Sequence, residues 1–241
     1  MADNKPFLTA EWNNLVMLNY AVAPSLLEPF VPAGTELDEF EGKTYLSLVG
    51  FEFNRTRVLG FAVPFHQNFE EVNLRFYVRR GPKRGVVFIR ELVPKFAVAS
   101  VARLVFKENY SCVSMSHRVE PGKVEYAWKL GSERCVMKIE TVGESFVPLA
   151  GSLSEFITEH YWGYTTHKGG GSLEYEVQHP PWSVWNAKRA NFSGNAAGLY
   201  GPEIAQILTR QPDSAFLAAG SPVTVFKSTR LSLGGVLPSG Q

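Results

Sequence analysis

Two arginines and a glutamate on one face of a strand pair are the first side chains to suggest chemistry. Between Glu70 and Arg80 the sequence alternates: Val72, Leu74, Phe76 and Val78 fall on one side, and Glu71, Asn73, Arg75 and Tyr77 on the other. A turn at Gly81–Arg84 leads into a second run, Gly85 to Leu92, rich in Val, Phe and Ile. If Arg80 pairs with Gly85, Arg75 faces Arg90. Like charges directly opposed weaken a sheet, and a carboxylate between them removes the conflict. Glu71 on the same face, or an anionic ligand, would supply it. The face reads either as a polar pocket lined by Glu71, Arg75 and Arg90 or as an exposed surface with its arginines splayed into water.

Other familiar chemistry is missing. There is no G-x-S-x-G nucleophile elbow, no phosphate-binding P-loop and no H-E-x-x-H zinc helix. Gly169-Gly170-Gly171 lacks the strand–loop–helix context of a phosphate cradle and reads as a turn. His66, His117, His160, His167 and His179 show no spacing that converges three or four metal ligands. They read as separate surface or hydrogen-bonded side chains, with His179-Pro180-Pro181-Trp182 a rigid loop carrying a packed tryptophan. No metal and no cofactor are expected. Cys112 and Cys135 form no C-x-x-C pair and read as buried thiols, with a disulfide as the alternative.

With 24 basic and 23 acidic residues the net charge is +1, which disfavours nucleic acid as a partner. The stretch Arg79-Arg80-Gly81-Pro82-Lys83-Arg84 reads as a solvated hairpin tip. The start of the chain has no basic-then-apolar signal pattern, and no apolar run is long enough to span a bilayer. A cytoplasmic protein without membrane association is the expectation.

The elements that would position the charged face are mostly strands. Leu15–Val22, Thr44–Phe53, Tyr110–Val119, Lys123–Leu130, Arg134–Thr141, Leu173–Val177, Trp182–Asn191 and Val223–Phe226 all read that way. Short helices are expected at Pro24–Pro29, Pro94–Phe106, Phe156–Tyr161 behind a Ser152…Glu155 capping box, and Pro202–Leu208. The pattern points to an α+β, mostly β chain: one domain over residues 1–231, built as a curved antiparallel sheet or barrel, with a flexible tail at 232–241.

At the charged strand the sequence also resembles a known family. Glu70-Glu71-Val72-Asn73-Leu74-Arg75-Phe76-Tyr77-Val78, Arg84-Gly85-Val86-Val87-Phe88, Ala102-Arg103, Gly163-Tyr164, and Tyr175 through Trp182 resemble the YqjF-like family of uncharacterised bacterial proteins. That family is similar to acetoacetate decarboxylase. The resemblance implies a cone-like antiparallel β-barrel with a few short flanking helices and a small apolar-walled cavity. It matches Glu71 to the family glutamate of that cavity. It does not carry over the decarboxylase's Schiff-base lysine: Asn109-Tyr110 stands in place of Pro-Lys, and Lys107 is three residues away beside Glu108. A tyrosine forms no imine, so Schiff-base decarboxylation is not expected.

Three functions follow. The first is binding of a small carboxylate- or carbonyl-bearing molecule in an internal cavity lined by Glu71, Arg75, Arg103 and Tyr110. The second is an enzyme in which Tyr110 acts as acid and Glu71 as base on a keto, enol or aromatic substrate. The third is a structural or interaction domain whose barrel is filled by its own side chains. Self-association into a homo-oligomer is implied by the resemblance alone.

Overall fold

A computed structural model describes residues 5–62, 64–94, 109–167 and 170–231. The expected helix Pro94–Phe106 falls outside the described residues from residue 95 onward, and so do Arg103, Lys107 and the tail 232–241.

Strand dominates. In chain order the strands are β1 (Pro6–Val22), β2 (Glu36–Leu37), β3 (Thr44–Val58), β4 (Phe61–Ala62), β5 (Phe69–Arg80), β6 (Lys83–Val93), β7 (Tyr110–Cys112) and β8 (Ser114–Glu120). They continue as β9 (Lys123–Leu130), β10 (Glu133–Phe146), β11 (Trp162–Thr166), β12 (Ser172–Gln178), β13 (Val184–Ser193), β14 (Ser214–Phe226) and β15 (Thr229–Arg230). The helices are short: α1 (Pro24–Leu27), α2 (Leu153–Thr158), α3 (Ala197–Tyr200) and α4 (Pro202–Leu208). Ser152 caps α2 by accepting a hydrogen bond from the Glu155 amide, and Glu155 accepts one from Gly151.

Seven strands form a ring in the order β12-β11-β6-β5-β3-β1-β14, and β14 returns to β12 through Val177↔Val225 and Gln178↔Thr224. The remaining path, β13-β10-β9-β8, continues from β14 as a second layer. The ring is mainly antiparallel, as expected, with one parallel joint, and β7 adds a second parallel pairing off the ring. β11 and β7 both run parallel to β6, and parallel neighbours need a crossover instead of a hairpin.

The two layers explain why β1, β3 and β5 are apolar on both faces. Val16, Leu18, Leu46, Leu48, Val72, Leu74 and Phe76 point outward and pack against Tyr126, Trp128, Met137 and Ile139 of the second layer. The intervening residues Leu15, Met17, Tyr45, Val49, Phe51 and Tyr77 point into the ring, with Phe156, Trp182 and Phe216. A strand buried on both sides reads as a nearly continuous apolar run. Polar residues on its inner face therefore sit in the interior, not in water.

The β5–β6 hairpin turns at Gly81-Pro82, so Arg80 pairs with Lys83. Its basic tip is neutralised locally: Arg79 meets Glu36 at 3.2 Å, Lys83 meets Glu174 at 3.0 Å, and Arg84 meets Asp38 at 2.8 Å. Lys83 Nζ also sits 3.6 Å from the centre of the Trp162 ring. Both cysteines are free; Cys135 is buried as expected, but Cys112 is exposed. Among the described residues no helix is long and apolar enough to cross a membrane.

Candidate functional site

Inside the ring lies a partly open cavity that leaves about 80 Å³ to the centre of a water-sized sphere. One water needs roughly 10–15 Å³ by that measure, so the space admits a small organic molecule. Its walls are apolar and aromatic, with Trp12, Phe51, Phe53, Phe88 and Trp182 prominent. The polar lining is Glu71, Asn73 and Arg75 from β5, Glu91 from β6, Tyr110 from β7, and Thr158, His160 and His179 around and beyond α2. An apolar pocket with a few convergent polar groups is the usual form of a small-molecule site.

β5 delivers its three residues by simple alternation. Glu71 is buried; its Oε1 accepts from Asn73 Nδ2 at 3.0 Å and its Oε2 accepts from the Tyr110 hydroxyl at 3.4 Å. Glu71 and Tyr110, paired by the sequence reading, do meet. Arg75 is buried as well, on the same face. Its Nη2 donates to the Ile157 carbonyl at the end of α2, at 3.4 Å, while its Nε has no hydrogen-bond partner among the described residues. Arg75 forms no ion pair with any described residue.

The expected opposition of Arg75 and Arg90 is absent. Arg75 lies opposite Phe88 because the hairpin turns in two residues, and Leu74 lies opposite Arg90 because Ile89 is an extra residue bulged from β6. The bulge reverses the strand's phase. Arg90 turns to the outer side, where it donates to Ser111 at 3.1 Å, and Glu91 takes the cavity face. Since Glu91 pairs with Tyr110 in the parallel β6–β7 ladder, the same bulge brings Tyr110 inward. A one-residue bulge leaves no mark in a run such as Val86-Val87-Phe88-Ile89, so Glu91 was not foreseeable.

His160 was missed for a different reason. It follows α2 directly and is buried; its Nε2 lies 3.2 Å from Asp38 Oδ2, which also accepts from Arg84 Nε at 2.8 Å. These partners are 122 residues apart, and no local spacing could have joined them. Burial drives the His160 pKa down to about 4, against the opposing pull of Asp38. Burial also works to raise the Asp38 carboxyl, but the hydrogen bonds from His160 and Arg84 prevail and hold it below its ordinary value. His179 stacks on Trp182 at 4.1 Å between ring centres, and Trp182 donates to Ser221 at 2.8 Å. The rigid aromatic loop read from the sequence is one wall of the cavity.

Among the described residues no lysine lines the cavity, and no group of three or more His, Cys, Asp or Glu side chains is placed to hold a metal ion.

Residues 9–222 match the family model DUF2071, described as an uncharacterised conserved protein. The chain is 28% identical over 200 residues to the uncharacterised protein YqjF of Bacillus subtilis, covering 80% of this chain and 82% of that one. Among solved structures it is similar to acetoacetate decarboxylase of Legionella pneumophila, with a TM-score of 0.70 at 13% identity over 94% of this chain and 87% of the other. It is also similar to the enduracididine biosynthesis enzyme MppR complexed with pyruvate, with a TM-score of 0.69 at 13% identity over 96% and 93%. At such identities the likeness is one of fold: the mostly β, acetoacetate-decarboxylase-like architecture.

Proposed function

The chain belongs to the DUF2071 family of uncharacterised conserved proteins, and from that premise we propose that its cavity binds a small carboxylate- or carbonyl-bearing molecule anchored by Arg75. The observation that carries this reading is the state of Arg75: a buried guanidinium on the cavity wall with an unpartnered Nε and no ion pair among the described residues. Burying an unpaired charge is costly. A carboxylate offers the guanidinium a matched, bidentate acceptor. Two fold neighbours have names that refer to such molecules, acetoacetate for one and pyruvate for the other, which supports the same ligand class here.

The test is a thermal-shift screen against small keto acids, aromatic acids and phenols. An acid at 100 times its dissociation constant adds about 2.7 kcal/mol. Arg75→Met should abolish the response, and Arg75→Lys should retain part of it, since a lysine keeps the charge but loses the fork geometry. Stabilisation of wild type and Arg75→Met by the same acid to the same extent would refute the assignment.

A second reading, acid–base catalysis on a keto or enol substrate, is favoured by one contact: Tyr110 and Glu71 share a hydrogen bond on the cavity wall. An acid and a base within reach of one point is the minimum geometry for proton transfer. It predicts exchange of the methyl protons of pyruvate into deuterated water, lost in both Tyr110→Phe and Glu71→Gln. Exchange no faster than in buffer would leave binding alone. In neither reading does an imine form, so treating the protein with pyruvate and borohydride should leave its mass unchanged.

A further inference from the structure

The cavity has a second polar pole that neither the charged strand nor the fold likeness points to. His160 lines it, while Asp38, which the imidazole contacts through Nε2, does not. The nitrogen turned to Asp38 is therefore turned away from the cavity. Asp38 is a carboxylate accepting from Arg84 as well, so it can only accept from His160, which places the imidazole proton on Nε2. Nδ1 is then a lone-pair acceptor. It is buried and has no hydrogen-bond partner among the described residues. Among the described residues, Tyr77 and Phe156 pack on the ring through their own rings at 4.7 and 5.2 Å. The Tyr77 hydroxyl is engaged by Ser47 at 2.7 Å, and Arg84 is engaged by Asp38. Arg75 acts on the ring by its charge, which disfavours protonation, as does the burial of the ring itself. A buried acceptor left unpaired costs stability unless something enters to satisfy it.

We infer that His160 is a second ligand-binding residue of this cavity, accepting a hydrogen bond at Nδ1 from a hydroxyl, and that the ligand is a small hydroxy acid whose carboxylate lies at Arg75. The inference rests on the carboxylate reading of Arg75 and adds to it the group at the other end of the molecule. Arg75 donates and His160 accepts, so the site reads one acceptor and one donor on the same ligand. A plain carboxylic acid satisfies only the first.

The experiment compares acids that differ by one hydroxyl: lactate with propionate, and mandelate with phenylacetate, by calorimetry on the full chain. Wild type should bind the hydroxy acid of a pair about tenfold more tightly, the worth of one buried hydrogen bond. His160→Gln keeps a polar atom toward Asp38 and removes the Nδ1 acceptor. It should bring the two acids of each pair to equal affinity. If wild type binds neither acid of either pair, the carboxylate reading falls and this inference falls with it. If wild type binds both acids of each pair equally, Arg75 stands as the anchor and the role of His160 is overturned. Preference for the hydroxy acid that survives in His160→Gln overturns it too. Nitrogen NMR of wild type gives a check independent of any variant: His160 Nδ1 should be unprotonated from pH 5 to 8, and lactate should shift it where propionate does not. A proton found on Nδ1 would overturn the assignment.

Discussion

Arg75 and His160 share a cavity wall but differ in what burial has done to them. The guanidinium is left with an Nε that has no partner among the described residues, whereas the imidazole gives its charge up. The His160 pKa falls from an ordinary 6.5 to about 4, so between those values the unfolded chain binds a proton that the folded chain refuses. The stability His160 permits is complete above pH 6.5 and is lost as the pH falls toward 4. With the ring fully buried the loss is roughly 3 kcal/mol. Asp38, whose carboxyl also sits below its ordinary value, acts in the same direction at lower pH. Urea titrations at pH 7 and pH 4.5 should show this drop in wild type, and His160→Gln should flatten it; an equal drop in both would place the acid sensitivity elsewhere. At this scale the sequence was informative wherever chemistry rode on alternation. Glu71 and Arg75 share a strand face, and Tyr110 was found by resemblance to a known segment. It was silent where the partner is remote, as for His160 and Asp38, and Arg103 lies outside the described residues.

The strands supply the reason why local reading reached the right strand and the wrong neighbour. Side chains alternate with a period of two, so the inner and outer faces of β5 were legible from the residues alone. Register across β5–β6 was not. It depends on a two-residue turn at Gly81-Pro82, where the sequence suggested four, and on the extra residue Ile89. That bulge decides that Glu91 and Tyr110 line the cavity and that Arg90 does not. Deleting Ile89 should leave a regular ladder with Phe88 opposite Arg75, Arg90 opposite Leu74 and Glu91 opposite Asn73, so that Arg90 stays outside and Glu91 stays on the cavity face. A variant close to wild type in urea midpoint and in acid binding would bear this out, whereas a loss of about 3–5 kcal/mol, the cost of misplaced buried charge, would show that the shortened strand slips in register instead. A close approach in β11 makes a similar point. A Cβ on Gly163 would lie 2.1 Å from the Tyr175 ring, and Tyr175 lines the cavity. Gly163→Ala should therefore lose about 1–3 kcal/mol by overpacking and weaken acid binding as well, whereas a change in stability without any change in binding would mean that Tyr175 moves away from the cavity. The strand at Ser214–Pro222 escaped notice in the sequence because Ala215, Ala218, Ala219 and Gly220 have little strand propensity.

At the scale of the whole molecule the class of fold was legible and its closure was not. Many short apolar runs separated by turns point to a mostly β chain, yet nothing local says that β14 returns to β12, or that β8–β10 and β13 form a layer over the outside of β1, β3 and β5. Those are pairings between distant segments, chosen by burial of both strand faces. The closure is uneven. β1 pairs with β3 and β14 along most of its length, while the ring is completed through only two residue pairs, Val177↔Val225 and Gln178↔Thr224. Val177 and Val225 also line the cavity, so this narrow seam, matched in the ring by the two pairs of the parallel β6–β11 joint, is part of the ligand's wall. Local opening follows the distribution of hydrogen bonds and buried contacts. Amide exchange should therefore be fast at this seam in the free protein, as at the two-pair β6–β11 joint, and slower there once a bound acid packs against it, with β1–β3 protected throughout. Exchange at the seam as slow as in β1–β3 would mean that the ring is closed as firmly as it is built, and that ligands enter by another route.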